Sequence, residues 1–349
     1  MATALHTLKR LCLEGLGRTG VFNLVANSAW RRQRLLILCY HGVSTDDEHL
    51  WNGALYMSPA MLEDRLRMLS AARCTVLPLG EGLERLYAGT LPERSVAISF
   101  DDGYSDFVTQ AYPLLTRFGY ATTVYLPTLR CGPAFPVFAL AASYVLWKAK
   151  GRRVHAPEVR REPLDLRTAA GRDEALAAVN TAGRRDNLSL EDKNQLVAGL
   201  AGAAGIDYGS IVSRRLLQIM TPAEVTRLAA EGVDFELHTH THRTPHDRAA
   251  FLGEIEKNRA RIRELTGRDA RHFCYPSGNY AQAFLPWLAE AGVISATTCD
   301  SGLATRSTSP LLLPRLVDTS TTAAHEFEGW LSGTARLVTP TRSYADRPH

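Results

Sequence analysis

The stretch SVAISFDDGY, residues 95–104, runs apolar and then stops at two adjacent aspartates and a glycine. Val96, Ile98 and Phe100 have the β-branched and aromatic character of a buried strand. Asp101 and Asp102 side by side repel, and each disfavours the charged form of the other. A strand built for the interior that ends in two carboxylates therefore implies something at its tip that uses them.

The same pattern recurs outward along the chain. RLLILCYHGV (34–43) reads as a buried strand ending at His41, and VDFELH (233–238) as one ending at His238. CTVLPL (74–79), ATTVYLP (121–127), RHFCYP (271–276), VISATT (293–298) and LLLPRLV (311–317) complete the strand set. Between them lie helical patterns. Residues 58–72 carry Ser58 as N-cap and Pro59 at the first position, 79–89 end at Gly89, and 221–232 open with Thr221 and Pro222. Further helices are expected over 106–118, 249–266, 281–291 and 323–331. Strands alternating with helices predict parallel pairing through crossovers, an α/β barrel.

The rhythm breaks from about 130 to 220. Residues 148–186 hold ten Lys and Arg against six Asp and Glu, with no convincing strand, and read as a helical insertion placed as a lid. Residues 1–34 read as a helical extension whose basic cluster Arg31, Arg32 and Arg34 forms a solvated face, with contact to a membrane surface as the alternative. Residues 331–349 read as a tail. The barrel then spans 35–330.

Composition bounds the class. With 349 residues, 45% hydrophobic and 22% charged, the chain suits a globular protein with a sizeable core. A formal charge of +4 is too weak to suggest a nucleic-acid binder. Six cysteines (12, 39, 74, 131, 274 and 299) show no CxxC pairing and read as reduced thiols. Lys9, Arg10 and Glu14 interrupt the N-terminal apolar stretch, which makes a poor secretory signal. The longest apolar segment, residues 133–147, is 15 long against the roughly 20 a membrane span needs. These features predict a cytoplasmic place, with attachment at the membrane periphery as the alternative.

Polar residues gather at strand ends: His41, Asp101 with Asp102, His238 with its neighbours, and Tyr275 to Gly278. That end of a parallel barrel carries the active-site loops. In ELHTHTHRTPH (236–246), four of the eleven histidines fall within nine residues. His238 and His242, four apart, would face one way on a helical turn and grip one divalent cation, while His240 points elsewhere. Imidazole with carboxylate suits zinc, nickel, cobalt or iron better than calcium or magnesium. One aspartate can complete a His–His–Asp site. The other can take a proton from water whose pKa a metal lowers from 15.7 toward about 7.

SFDDGYSDF resembles the TFDDG motif, and HTHTH the H-[ST]-x-x-H motif, of the polysaccharide deacetylase family, the NodB-like carbohydrate esterases of family 4. LILCYHGV is similar to the family's YHxV strand, HFCYPSGNY to its FxYPxG motif, and LLLPRLVD to its late LPR strand. The likeness covers roughly 35–130 and 220–320, and implies a distorted (β/α) barrel of the deacetylase type. It implies that Asp101 is the general base, that Asp102, His238 and His242 bind a divalent metal, most simply zinc, and that Thr239 fills the hydroxyl position beside the first histidine. The backbone amide near Ser277 would help hold the oxyanion. The implied reaction is attack of metal-activated water on an N-acetyl group of a saccharide.

Two positions depart from the pattern. Cys274 stands where well-known members carry the arginine that braces the base, and LPRL with Arg315 stands where they carry a Leu-x-His acid. His41, His246, Asp300 and Arg315 are the candidates for acid, brace or substrate contact. The alternatives to a sugar deacetylase are a hydrolase of a non-sugar amide or cyclic imide, and a catalytically weak carbohydrate-binding homologue.

Overall fold

The computed structural model describes residues 13–15, 19–132, 134–184 and 188–338. Eight strands form its main sheet: β1 (Leu36–Tyr40), β2 (Thr75–Val76), β3 (Ser95–Phe100), β4 (Thr123–Leu126), β5 (Asp234–Leu237), β6 (His272–Cys274), β7 (Ser295–Thr297) and β8 (Leu316–Val317). Their order is β7-β6-β5-β4-β3-β1-β8, with β2 beside the start of β3, and every pairing is parallel. Leu313 bridges to Thr297 just before β8 pairs with β1, so residues 313–317 join the two edges and curl the sheet into a distorted barrel. β1 and β3 are buried along their whole length, as strands covered on both faces must be.

The crossover helices start and stop where their caps dictate. The Ser58 side chain accepts the Met61 N–H to open the helix Pro59–Ala71, and Thr221 with Glu224 forms a capping box ahead of Pro222–Ala230. Gly89 closes Leu79–Ala88 in the left-handed conformation. The expected helix over 106–118 is not uniform. Phe107–Ala111 is a π-helical turn ahead of Tyr112–Phe118, beside Pro113, whose ring nitrogen has no hydrogen to give.

Between β4 and β5 the helices Phe138–Lys148, Ala169–Ala182, Leu190–Ala203 and Tyr208–Ser213 enclose their own apolar core, which includes Tyr144, Val179 and Leu200. An antiparallel pair, Arg153–Val154 with Leu164–Asp165, corrects the expectation that 148–186 hold no strand; two residues a side are too few to show an alternating pattern. Lys148 and Tyr144 both reach Asp47, and Met220 donates its N–H to the Gly103 carbonyl, so the block is tied to the barrel beside the DDG tip.

The basic cluster near residue 31 is solvated only in part: Arg32 is exposed and pairs with Glu93 at 3.0 Å, whereas Arg31 is not. Arg31 is fully buried and donates to the carbonyls of Leu331, Arg34 and Ser95, which fastens the N-terminal extension to β3 and to the C-terminal helix Ala324–Ser332. Burial pulls its pKa down to about 10. Residues 1–12 and 16–18 of the expected N-terminal extension, and 339–349 of the tail, lie outside the described residues. No helix among the described residues is long and apolar enough to cross a membrane.

Candidate metal and catalytic site

Strand register assembles the site. Tyr40 pairs with Phe100, so His41 and Asp101 leave the sheet side by side, and the Asp101 N–H bonds the Tyr40 carbonyl at 2.9 Å. Leu126 pairs with Leu237, and Leu237 with Phe273, which sets His238 beside Cys274. β3 and β5 lie two strand spacings apart, roughly 10 Å between backbones. Side chains from their tips close that gap: Asp102 Oδ1 lies 3.3 Å from His238 Nε2 and 3.1 Å from His242 Nε2.

The loops that bring them there need unusual backbone. Asp102, Thr239, His242 and Ser277 all have positive φ, from 56° to 69°. His238 to His242 is a loop and not the helical turn expected from the spacing; two left-handed residues turn it, and the Thr239 hydroxyl accepts the Arg243 N–H at 3.0 Å. Gly103 is required after the aspartates. Its φ is +64°, and a Cβ there would lie 2.4 Å from Leu126 Cδ1.

His238 is buried, and its Nδ1 faces the Cys274 carbonyl at 2.8 Å. A carbonyl only accepts, so Nδ1 carries a proton and the ring turns its Nε2 toward the Asp102 carboxylate. Burial opposes a charge on this ring, but the Asp102 carboxylate 3.3 Å away outweighs it and raises the imidazole pKa, so the pair attracts a positive charge, a proton or a metal ion. The donor atoms of Asp102, His238 and His242 all lie within 4.8 Å of one another, and two imidazoles with a carboxylate fit a divalent transition metal.

Asp101 has a different neighbourhood. Arg315 reaches from just before β8 and grips both its oxygens at 2.8 Å, with the pair almost fully buried. Burial opposes the Asp101 charge, but the Arg315 guanidinium outweighs it and holds the carboxyl below the usual range. Cys274 Sγ lies 3.3 Å and Cys39 Sγ 3.5 Å from the same carboxylate; burial pushes both thiols well up, so they stay protonated. His41 Nε2 lies 3.9 Å from Asp101 Oδ2 and is partly open to solvent. Of the remaining expected residues, Ser277 sits in the tight turn after β6, His246 packs at a tilt against Phe284, and Asp300 accepts the Tyr280 hydroxyl; none of these joins the Asp/His cluster.

One polar residue had escaped notice. Asn258, fully buried on the helix Arg248–Thr266, accepts the His238 N–H at 2.8 Å and donates to the Leu126 carbonyl and the Thr128 hydroxyl. It ties the tip of β4 to the ligand loop. A single asparagine in a charged amphipathic helix carries no sequence signal for this task.

Fold and site together define a polysaccharide-deacetylase-type barrel with an Asp–His–His cluster and a separate, arginine-held carboxylate. Comparison supports that class. Residues 202–295 match the family model described as polysaccharide deacetylase. The deacetylase PplD of Streptococcus pyogenes, solved in complex with acetate, superposes with a TM-score of 0.56 at 15% identity over 88% of this chain and 99% of its own. IcaB from Ammonifex degensii gives a TM-score of 0.54 at 14% identity, covering 86% and 97%. The deacetylase domain of BpsB from Bordetella bronchiseptica gives 0.50 at 17%, covering 82% and 96%. At these identities the likeness establishes the fold. A comparison with curated proteins returns no match.

Proposed function

We propose that the protein is a metal-dependent hydrolase that removes N-acetyl groups from an amino sugar, free or within a polysaccharide or glycolipid. The observation that carries this reading is the facing of His238 Nε2 and Asp102 Oδ1, beside His242 and next to a second carboxylate that Arg315 keeps charged. The family match and the deacetylase neighbours support the reaction class.

A divalent ion held by Asp102, His238 and His242, zinc first and cobalt or nickel next, would supply a Lewis acid for the amide carbonyl and lower the pKa of water. Asp101 takes the proton of the attacking water as its oxygen adds to the acetyl carbon. Arg315 fixes both Asp101 oxygens in place and keeps the base ionised. The turn around Ser277 offers a backbone N–H to the developing oxyanion. His41, beside the base at the tip of β1, donates the proton that lets the amine leave as the C–N bond breaks, giving acetate and a free amino sugar.

The test is acetate release from N-acetylated saccharides by protein reconstituted with zinc, cobalt or nickel, with an acetylated amide and a cyclic imide as controls. Activity with a saccharide that disappears in Asp102→Ala, together with the bound metal, is expected. Turnover that survives in metal-free Asp102→Ala would refute the reading.

A further inference from the structure

One cation beside the metal cluster has no partner in the mechanism above. Arg130 ends the turn Thr128–Arg130 after β4. That turn is stitched to the ligand loop: the Leu129 N–H bonds the His240 carbonyl at 2.8 Å, and the Thr128 hydroxyl pairs with His240 Nδ1 at 2.9 Å. The guanidinium is largely buried, within electrostatic reach of Asp102, Tyr104 and Arg243. Among the described residues Arg130, Arg243 and Lys193 form no ion pair. Arg130 and Lys193 line one small depression with Phe135 and Phe138, between the barrel and the helical block. Its interior of about 20 Å³ has room for part of a small polar group and none for a sugar ring.

The charges do not balance around an uncharged ligand. Asp101 and Arg315 cancel, and a divalent ion on Asp102 leaves one positive charge. Arg130 and Arg243 raise the surplus to three. Glu254, on the neighbouring helix, accepts the Thr241 N–H and faces His240, and counting its charge still leaves a surplus of two. A largely buried guanidinium with no ion-pair partner in contact costs folding free energy, and a bidentate oxyanion is the group it recognises best.

We propose that Arg130, with Arg243 and Lys193 beside it, forms a subsite for an anionic group, a phosphate or a carboxylate, on the acetylated substrate. The inference rests on the hydrolase reading for its substrate, and it makes that substrate an acidic amino sugar instead of a neutral glucosamine chain.

The experiment compares kcat/KM of the zinc-loaded full chain on N-acetylglucosamine 1-phosphate, on a disaccharide of glucuronate and N-acetylglucosamine, and on neutral N,N′-diacetylchitobiose. At least one anionic substrate is expected to exceed the neutral one by tenfold or more, and whichever does so identifies phosphate or carboxylate as the anion. Arg130→Ala should shrink that ratio at least tenfold, with Arg130→Lys restoring most of it. Equal use of the three, or a ratio unchanged in Arg130→Ala, would overturn the proposal. Calorimetric titration with glucosamine 1-phosphate, which has no acetyl group to lose, reads the same contact without turnover. Arg130→Ala should weaken it tenfold, and rising salt should weaken the wild type more than the variant; equal affinities would overturn the proposal. If no saccharide releases acetate while that difference persists, the hydrolase reading fails and the anion subsite stands.

Discussion

Arg315→Met is the sharpest perturbation of the site. The guanidinium and Asp101 share two hydrogen bonds of 2.8 Å, and neither side chain is more than 4% exposed. Removing one partner of such a pair leaves a buried charge uncompensated, at a cost of about 3–5 kcal/mol. With an unfolding entropy of roughly 2.1 cal/mol/K per residue, a chain of 349 residues loses about 0.7 kcal/mol of stability per degree at its midpoint, so the loss corresponds to a fall of about 4–7 °C. Asp101→Asn strands Arg315 and should cost a similar amount. The double variant Asp101→Asn with Arg315→Met leaves neither charge, and the coupling energy from the cycle should exceed about 2 kcal/mol. Thermal unfolding of the four metal-free proteins, followed by tryptophan fluorescence, gives the comparison. Effects that add within about 0.5 kcal/mol would show that the two residues are not a coupled pair.

Three more expectations follow from particular contacts. Asn258→Leu strands the His238 N–H and the Leu126 carbonyl, and should weaken zinc affinity by about 10–100-fold as measured by competition with a chelator. His41→Gln should lower kcat by about 10²–10⁴-fold while leaving the bound zinc content unchanged, as read by elemental analysis. His272, buried beside Ser295, has its pKa pulled down to about 4 by burial, helped by Arg271, while the unfolded chain takes that proton near 6.5. The unfolded state thus binds more protons between those values, so stability should fall as pH drops from about 6.5 to 4, by at most about 3 kcal/mol. His272→Gln should flatten that part of the profile of unfolding midpoint against pH.

How much of this was legible in the sequence differs from element to element. Residues 95–100 form β3 with no shift of boundary, and the caps at Ser58 and Thr221 open their helices as expected. These features are local, set by burial period and backbone donors. The convergence of Asp102, His238 and His242 was legible too, because a parallel barrel gathers strand ends. The shape of the ligand loop was not: the i, i+4 spacing suits a helix, and only the left-handed conformations of Thr239 and His242 show that a loop achieves the same approach. The Asp101–Arg315 pair spans 214 residues, and nothing local in LPRL says which strand its arginine will face. Cys274 occupies the place where a bracing arginine was expected, and the structure puts the guanidinium at the same carboxylate from the other end of the chain. Arg31 was misread for a related reason. A basic cluster looks solvated until three distant carbonyls close on one of its members.

The most direct measurement is anomalous diffraction at the zinc edge from crystals of the zinc-loaded protein. A single strong peak roughly 2.0–2.2 Å from His238 Nε2, His242 Nε2 and an Asp102 carboxylate oxygen is the predicted result. A peak at other residues, or none at this cluster under saturating zinc, would contradict the account.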